Sequence, residues 1–198
     1  MLRGLEGPDV RVVVTGMGTA AAEHHTALAI AHGAVAAIST GFCGALDSAL
    51  QLGDVVVPER VVDAVTGEAF ACAPGLTIGA GTRGGTLITT PRIAGDPSAR
   101  AALTGTVVDM ESAGIARACA RAGVPFAAVR AVTDRVGDVL PDFTGLVDDD
   151  GRVHGMAMAR RLLAHPAQIT AWARLARGAN AARRGLVPAV TAMLADAA

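Results

Sequence analysis

Residues 106–134, TVVDMESAGIARACARAGVPFAAVRAVTD, decide how this chain is built. The short β-branched run from Thr106 to Asp109 predicts a strand that leads into a helix over Met110 to Ala122. On that helix Ile115, Ala118, Cys119 and Ala122 share one apolar stripe, while Arg117 and Arg121 lie on another face. Gly123 and Pro125 stop it. Pro125 to Asp134 is then nearly all apolar, the pattern of a strand buried on both faces.

Outward from this core the alternation continues. Val10 to Thr15 (VRVVVT) predicts a strand, Gly16-Met17-Gly18 a turn, and Thr19 the cap of an alanine-rich helix to about His32. Ala34 to Ser39 predicts the next strand and Gly41-Phe42-Cys43-Gly44 a loop after it. Gly53 to Asp63 reads as one longer strand bent at Pro58, followed by a hairpin through Thr66-Gly67. Gly85 to Thr90 predicts a strand and Asp96 to Leu103 a short helix. The polar stretch 135–152, with Asp148-Asp149-Asp150, predicts a loop rather than a metal site, and from His154 onward helices break near His165-Pro166 and Gly185. Strands alternating with helices predict an α/β fold, a single domain over 1–198 with a central, mostly parallel twisted sheet flanked by helices. Its core covers about 10–141 and a C-terminal helical part about 154–198.

Composition removes whole classes of function. Of the 198 residues 52% are hydrophobic and 18% charged, with mean hydropathy +0.44, so burial offsets ordering entropy and the chain folds. A net charge of -1 and 3% aromatic residues supply neither the basic patch nor the stacking platforms of a nucleic-acid binder. All 17 basic residues are arginine, which excludes a Schiff-base lysine and a Walker lysine. Cys43, Cys72 and Cys119 are odd in number and form no CxxC, which predicts no disulfide framework, no zinc knuckle and a cytoplasmic setting. The uncharged run Thr26 to Leu46 is long enough to span a bilayer, but Gly33, Ser39, Thr40, Gly41 and Gly44 interrupt it, so no transmembrane segment is expected.

Several constellations could carry chemistry, each beside a plainer reading. The strand-Gly16-Met17-Gly18-helix arrangement could bring backbone N–H groups to a phosphate, yet no acidic residue follows at the spacing a dinucleotide fingerprint needs. Gly41-Phe42-Cys43-Gly44 falls at the carboxyl end of a strand, where open α/β sheets bind ligands, or is only a turn. Asp109-Met110-Glu111 lies where strand meets helix and would serve as cap and first-turn charge if nothing else. Asp134 ends an apolar strand, where a carboxylate could act as general acid or could pair with Arg130 four residues earlier on the same face. His24 and His25 are adjacent on a helix and cannot chelate jointly, and Cys43 has no histidine nearby in sequence.

TGMG at 15–18, STGFCGAL at 39–46, LGDVVVP at 52–58, VVDMESAGIA at 107–116 and VRAVTD at 129–134 occur in an order that resembles the purine nucleoside phosphorylase and methylthioadenosine/S-adenosylhomocysteine nucleosidase family. Residues 165–186 are further similar to the hopanoid-associated phosphorylases of that family. The resemblance implies cleavage of the N-glycosidic bond of an adenine-containing nucleoside, by phosphorolysis of a lipid-linked adenosyl substrate. A hydrolytic nucleosidase is the alternative, and a binding module without turnover a second one. It implies no metal and no organic cofactor, with phosphate as candidate co-substrate, and a homodimer or larger homo-oligomer. Residue by residue it implies that Asp134 protonates purine N7 beside Thr133, that Glu111 binds ribose hydroxyls and that Asp109 belongs to the substrate site. Met110, Met17 and Gly18 would fall at the sugar, and Phe42, Cys43, Gly44 and Ile93 would line the nucleoside. Two departures stand out. Ser39 occupies the place where phosphorolytic members carry an arginine, and MLRGLEGPD before Val10 is not the family's first strand, which is therefore expected to be missing.

Overall fold

The computed structural model describes residues 3–73, 82–141 and 168–196. Its elements are α1 (Thr19–Ala31), β1 (Ala37–Ala45), β2 (Val55–Val56), β3 (Arg60–Asp63), β4 (Ala69–Ala71), β5 (Thr86–Thr89), α2 (Pro97–Ala101), β6 (Val107–Asp109), α3 (Ser112–Ala122), β7 (Phe126–Asp134) and α4 (Ile169–Asp196). One curled, mixed sheet runs in the order β2-β7-β1-β6-β5-β3-β4. Its longest ladder is parallel, β1 on β7 from Ala37↔Phe126 to Gly44↔Asp134. The β3/β5 and β5/β6 ladders are also parallel, while β1/β6, β2/β7 and β3/β4 are antiparallel.

All nine residues of β7 are buried, which accounts for its nearly all-apolar sequence, broken only by Arg130, Thr133 and Asp134. Side chains alternate across a strand, so Ala127, Val129 and Ala131 face α4 and pack with Ala182, Leu186, Val190 and Met193. Phe126, Ala128 and Val132 belong to the opposite core with Ile115, Ala116 and Cys119 of α3. Ile115, Ala118 and Cys119 of the stripe predicted for α3 are buried, Ala122 at its end is exposed, and Gly123 closes the helix in the left-handed region at φ 67°. Its other face is tied down by charge: Arg117 pairs with Asp63, with Glu68 at 2.9 Å and with Glu23 at 3.2 Å, joining α3 to α1, β3 and the β3–β4 turn.

Four expectations change. Val10 to Thr15 forms no strand: among the described residues no ladder partner lies beside it apart from the Gly7–Val10 bridge, and Val13 and Val14 are 39% and 67% exposed. β-branched composition signals a preference for extended backbone, but a strand exists only where a neighbour satisfies its N–H and C=O groups. Gly41-Phe42-Cys43-Gly44 is not a loop but the second half of β1, because β7 pairs with it along its length. Gly53 to Asp63 divides at Pro58 into β2 and β3. No break occurs at Gly185, which lies within α4 where it packs against the Gly53 carbonyl. The expected loop beyond 141 and the helices over 154–167 lie outside the described residues.

Candidate active site

Gly44 is the pivot of the site. It pairs with Val108 of β6 on one side and Asp134 of β7 on the other, so the ends of two strands, each leading to a carboxylate, flank one glycine. A β-carbon on Gly44 would lie 2.9 Å from Asp134 Oδ2 and 3.2 Å from Arg100 Nη2, a closeness that only glycine permits.

At the β7 end, Asp134 is buried. Its Oδ1 lies 2.6 Å from Thr133 Oγ1, which can also donate to the Cys43 carbonyl at 3.1 Å. Its Oδ2 pairs with Arg100 of α2. The alternative ion pair between Asp134 and Arg130 does not form. Arg130 turns instead to Asp109, donating from Nε at 3.0 Å and Nη2 at 2.8 Å to Oδ2, and Nη2 also reaches Ser39 Oγ and Ser112 Oγ, each at 2.6 Å.

Asp109 is enclosed by this set. Its Oδ1 accepts from Thr89 Oγ1 at 2.7 Å, and its Oδ2 accepts from the Ser112 N–H at 3.1 Å as well as from Arg130. Asp109 thus accepts the first N–H of α3, although the N-cap position itself falls at Glu111, and it ties β5, β6, α3 and β7 together beneath the turn that carries Met110 and Glu111. Glu111 is partly buried, and Oε1 accepts the Gly18 N–H at 3.0 Å. Burial above all raises its carboxyl above the usual glutamate range, with Asp109 adding to the shift and the Gly18 N–H and Arg130 opposing it. Gly18, at φ 89°, is the N-cap of α1, and Thr19 Oγ1 donates to the Met110 carbonyl at 3.2 Å, so the turn holding Met17 and Gly18 is stitched to the Met110-Glu111 turn.

The structure thus brings the candidate residues into two linked groups. Asp134, Thr133, Cys43 and Gly44 form one, and Glu111, Met110, Gly18 and Met17 the other, with the Arg130–Asp109 network between them. Phe42 and Ile93 are large apolar side chains left 41% and 37% exposed. Cys43 is buried and burial pushes its thiol far above the usual range, which leaves it no nucleophilic role. His25 Nδ1 contacts its own helix at the Ala21 carbonyl. Among the described residues no cluster could hold a metal ion and no helix is long and apolar enough to cross a membrane. Sequence reasoning missed Arg100, Thr89 and Ser112 as parts of the site. Arg100 sits in a five-residue helix with no periodicity to read, and its partner lies 34 positions away.

A curled mixed sheet with its long C-terminal helix and carboxylates at flanking strand ends defines a nucleoside phosphorylase-like α/β fold. A family model described as the phosphorylase superfamily matches residues 2–164, and the chain belongs to that superfamily. Among solved structures, the S-adenosylhomocysteine nucleosidase of Streptococcus pyogenes, in complex with 5-methylthiotubericidin, is 27% identical with a TM-score of 0.55, covering 61% of this chain and 64% of that one. The 5′-methylthioadenosine/S-adenosylhomocysteine nucleosidase of Neisseria meningitidis, in complex with methylthio-immucillin-A, is 26% identical with a TM-score of 0.57, covering 61% and 65%. That of Campylobacter jejuni, at 20% identity and TM-score 0.57 over 66% and 70%, shares the fold. The chain spans less than two thirds of the length of the first two. No curated protein matches it.

Proposed function

We propose that the protein cleaves the N-glycosidic bond of an adenine-containing nucleoside. The observation that carries this reading is the placement of Asp134 and Glu111 beyond the two strand ends that flank Gly44, in a chain of this superfamily. Breaking the bond leaves the electron pair on the purine and positive charge on the ribosyl carbon, so the base needs a proton and the cation needs a nucleophile. Asp134 passes a proton to N7 as the C–N bond breaks, Arg100 beside it compensates the negative charge the carboxylate then carries, and solvent resupplies the proton afterwards. Glu111 holds ribose hydroxyls, with Met110 and Met17 against the sugar and Phe42 and Ile93 beside the base. An exposed apolar side chain next to a polar site is what a flat base can cover.

The finer reading takes phosphate as nucleophile and a lipid-linked adenosyl group as substrate, and rests on the likeness of residues 165–186 to hopanoid-associated phosphorylases. A specific observation favours water instead. Ser39, where phosphorolytic relatives carry arginine, is occupied by Arg130 and lies 3.2 Å from Ser112, and the Streptococcus pyogenes and Neisseria meningitidis structures it resembles are nucleosidases. In either case an oxygen of the nucleophile bonds the ribosyl carbon, and water sheds one proton to solvent in doing so. The three free cysteines suit a cytoplasmic setting.

Incubation with adenosine, 5′-methylthioadenosine, S-adenosylhomocysteine and a 5′-lipid-linked adenosine, each with and without phosphate, tests the proposal by release of free adenine. Release that requires phosphate assigns a phosphorylase and release without it a nucleosidase. Binding without release refutes turnover and leaves a nucleoside-binding module.

A further inference from the structure

We infer that Arg100 is a positioning residue for this reaction, the group that sets the Asp134 carboxylate and the Ile93 loop against the same base. The inference rests on the proposed function. It starts from a buried arginine, 3% exposed, on a short helix that Asp96 caps by accepting the Ser98 N–H at 3.1 Å. An arginine is seldom buried without acceptors for its fork of donors, and Arg100 has three on two segments. Nε donates to the Ala94 carbonyl at 2.5 Å, Nη1 to the Arg135 carbonyl at 2.9 Å, and Nη2 to Asp134 Oδ2.

Those acceptors define what the guanidinium holds. Ala94 follows Ile93 in the loop between β5 and α2, and Arg135 follows Asp134 at the end of β7. One planar group therefore fixes the distance between the loop that presents Ile93 and the strand end that presents Asp134. It also selects the carboxylate's orientation, because Oδ2 is drawn to Arg100 while Oδ1 stays with Thr133. Gly44 leaves just the room this requires, since a β-carbon there would collide with both partners. A structural staple could have used the two carbonyls alone. The third bond goes to the side chain that the reaction uses, and that is what separates positioning from packing.

Lysine at 100 keeps a positive charge but cannot span three acceptors, so Arg100→Lys is the first test, with Arg100→Gln beside it. The wild-type protein is assayed first for adenine release and for binding of adenine by calorimetry and of ribose by ligand-observed NMR. The variants are expected to stay folded, to lose about 100-fold in kcat with KM within about threefold of wild type, and to bind adenine about tenfold more weakly while ribose binding is unchanged. Variants with wild-type kcat overturn the inference and leave the proposed function standing. So do variants that unfold, or that lose adenine and ribose affinity equally, since Arg100 is then a staple of the fold. A wild-type protein that neither releases nor binds adenine refutes the proposed function itself, and the role of Arg100 falls with it.

Discussion

Arg130 and Asp109 form a buried pair in which Nε and Nη2 both donate to one carboxylate oxygen, at 3.0 and 2.8 Å, with side-chain exposures of 3% and 1%. The pair crosses from β7 to the β6–α3 turn beneath Glu111, and Ser39, Ser112 and Thr89 satisfy the lone pairs and protons that remain. Burying two charges is costly, and such a pair holds only while both partners are present and fully bonded.

Asp109→Asn is accordingly expected to leave the Arg130 guanidinium uncompensated and to lower stability by about 3–5 kcal/mol. Chemical denaturation of both proteins at pH 7 measures this. A change below about 1 kcal/mol, the worth of a solvent-screened pair, would show that water reaches the network.

Glu111→Gln should weaken nucleoside binding while leaving the affinity for free adenine nearly unchanged, because the lost charge-assisted bonds belong to the ribose hydroxyls. A pH signature accompanies it. Burial raises the folded-state value of Glu111 above 4.5, so the fold favours the protonated form, and the stability it contributes is present below the unfolded value and lost as pH rises through the folded one. In Glu111→Gln that part of the pH dependence disappears. Equal losses for nucleoside and adenine in calorimetry would remove the sugar role.

How much of this was legible beforehand differs by element. α3 and β7 were readable because periodicity and a nearly all-apolar run report burial directly, and Asp134 and Glu111 stood out as carboxylates at a strand end and at a strand-to-helix junction. Val10 to Thr15 misled because composition records a taste for extended backbone and says nothing of whether a neighbour strand exists. Gly41 and Gly44 misled in the opposite sense. Both lie inside a strand, not a turn, and at Gly44 glycine serves close approach to Asp134 and Arg100. The partners of Asp109 and Asp134 were invisible because arginines 21 and 34 positions away leave no local pattern.

The closest approach of α4 to the site is at Gly178, where a β-carbon would fall 1.8 Å from the Thr133 carbonyl oxygen. Backbone cannot yield as a side-chain tip can, so Gly178→Ala is expected to cost about 1–3 kcal/mol and to displace Thr133, and with it Asp134. Gly137, with nothing within 4 Å of its virtual β-carbon, is the control, and Gly137→Ala should melt within a degree or two of wild type. Calorimetric melting of both variants decides whether the contact is as tight as it looks.

Val13, Val14, Leu28 and Val35 are all exposed large apolar side chains. Scattered exposure of this kind is common, but with 52% hydrophobic composition it leaves apolar surface that association would cover, and a dimer or larger homo-oligomer is expected. Light scattering that returns a clean monomer at micromolar concentration would refute this.

Asp134→Asn separates the chemical role of Asp134 from its structural one. The amide keeps the shape and can donate an N–H but cannot transfer a proton, and protonation of the leaving purine matters mainly in the transition state. A loss of roughly 100-fold to 10,000-fold in the rate of adenine release is expected, with modest change in nucleoside affinity. Because Asp134 also pairs with Arg100, the variant is expected to unpair a buried guanidinium and lower stability by about 3–5 kcal/mol in either case, but if Asp134 were only that partner the folded fraction would stay fully active. The two outcomes diverge in the rate of adenine release per folded protein, with melting temperature used to correct for the unfolded fraction. A folded variant working at the wild-type rate would strip Asp134 of its proton-transfer role, and Arg100 would then face a carboxylate that only holds the fold.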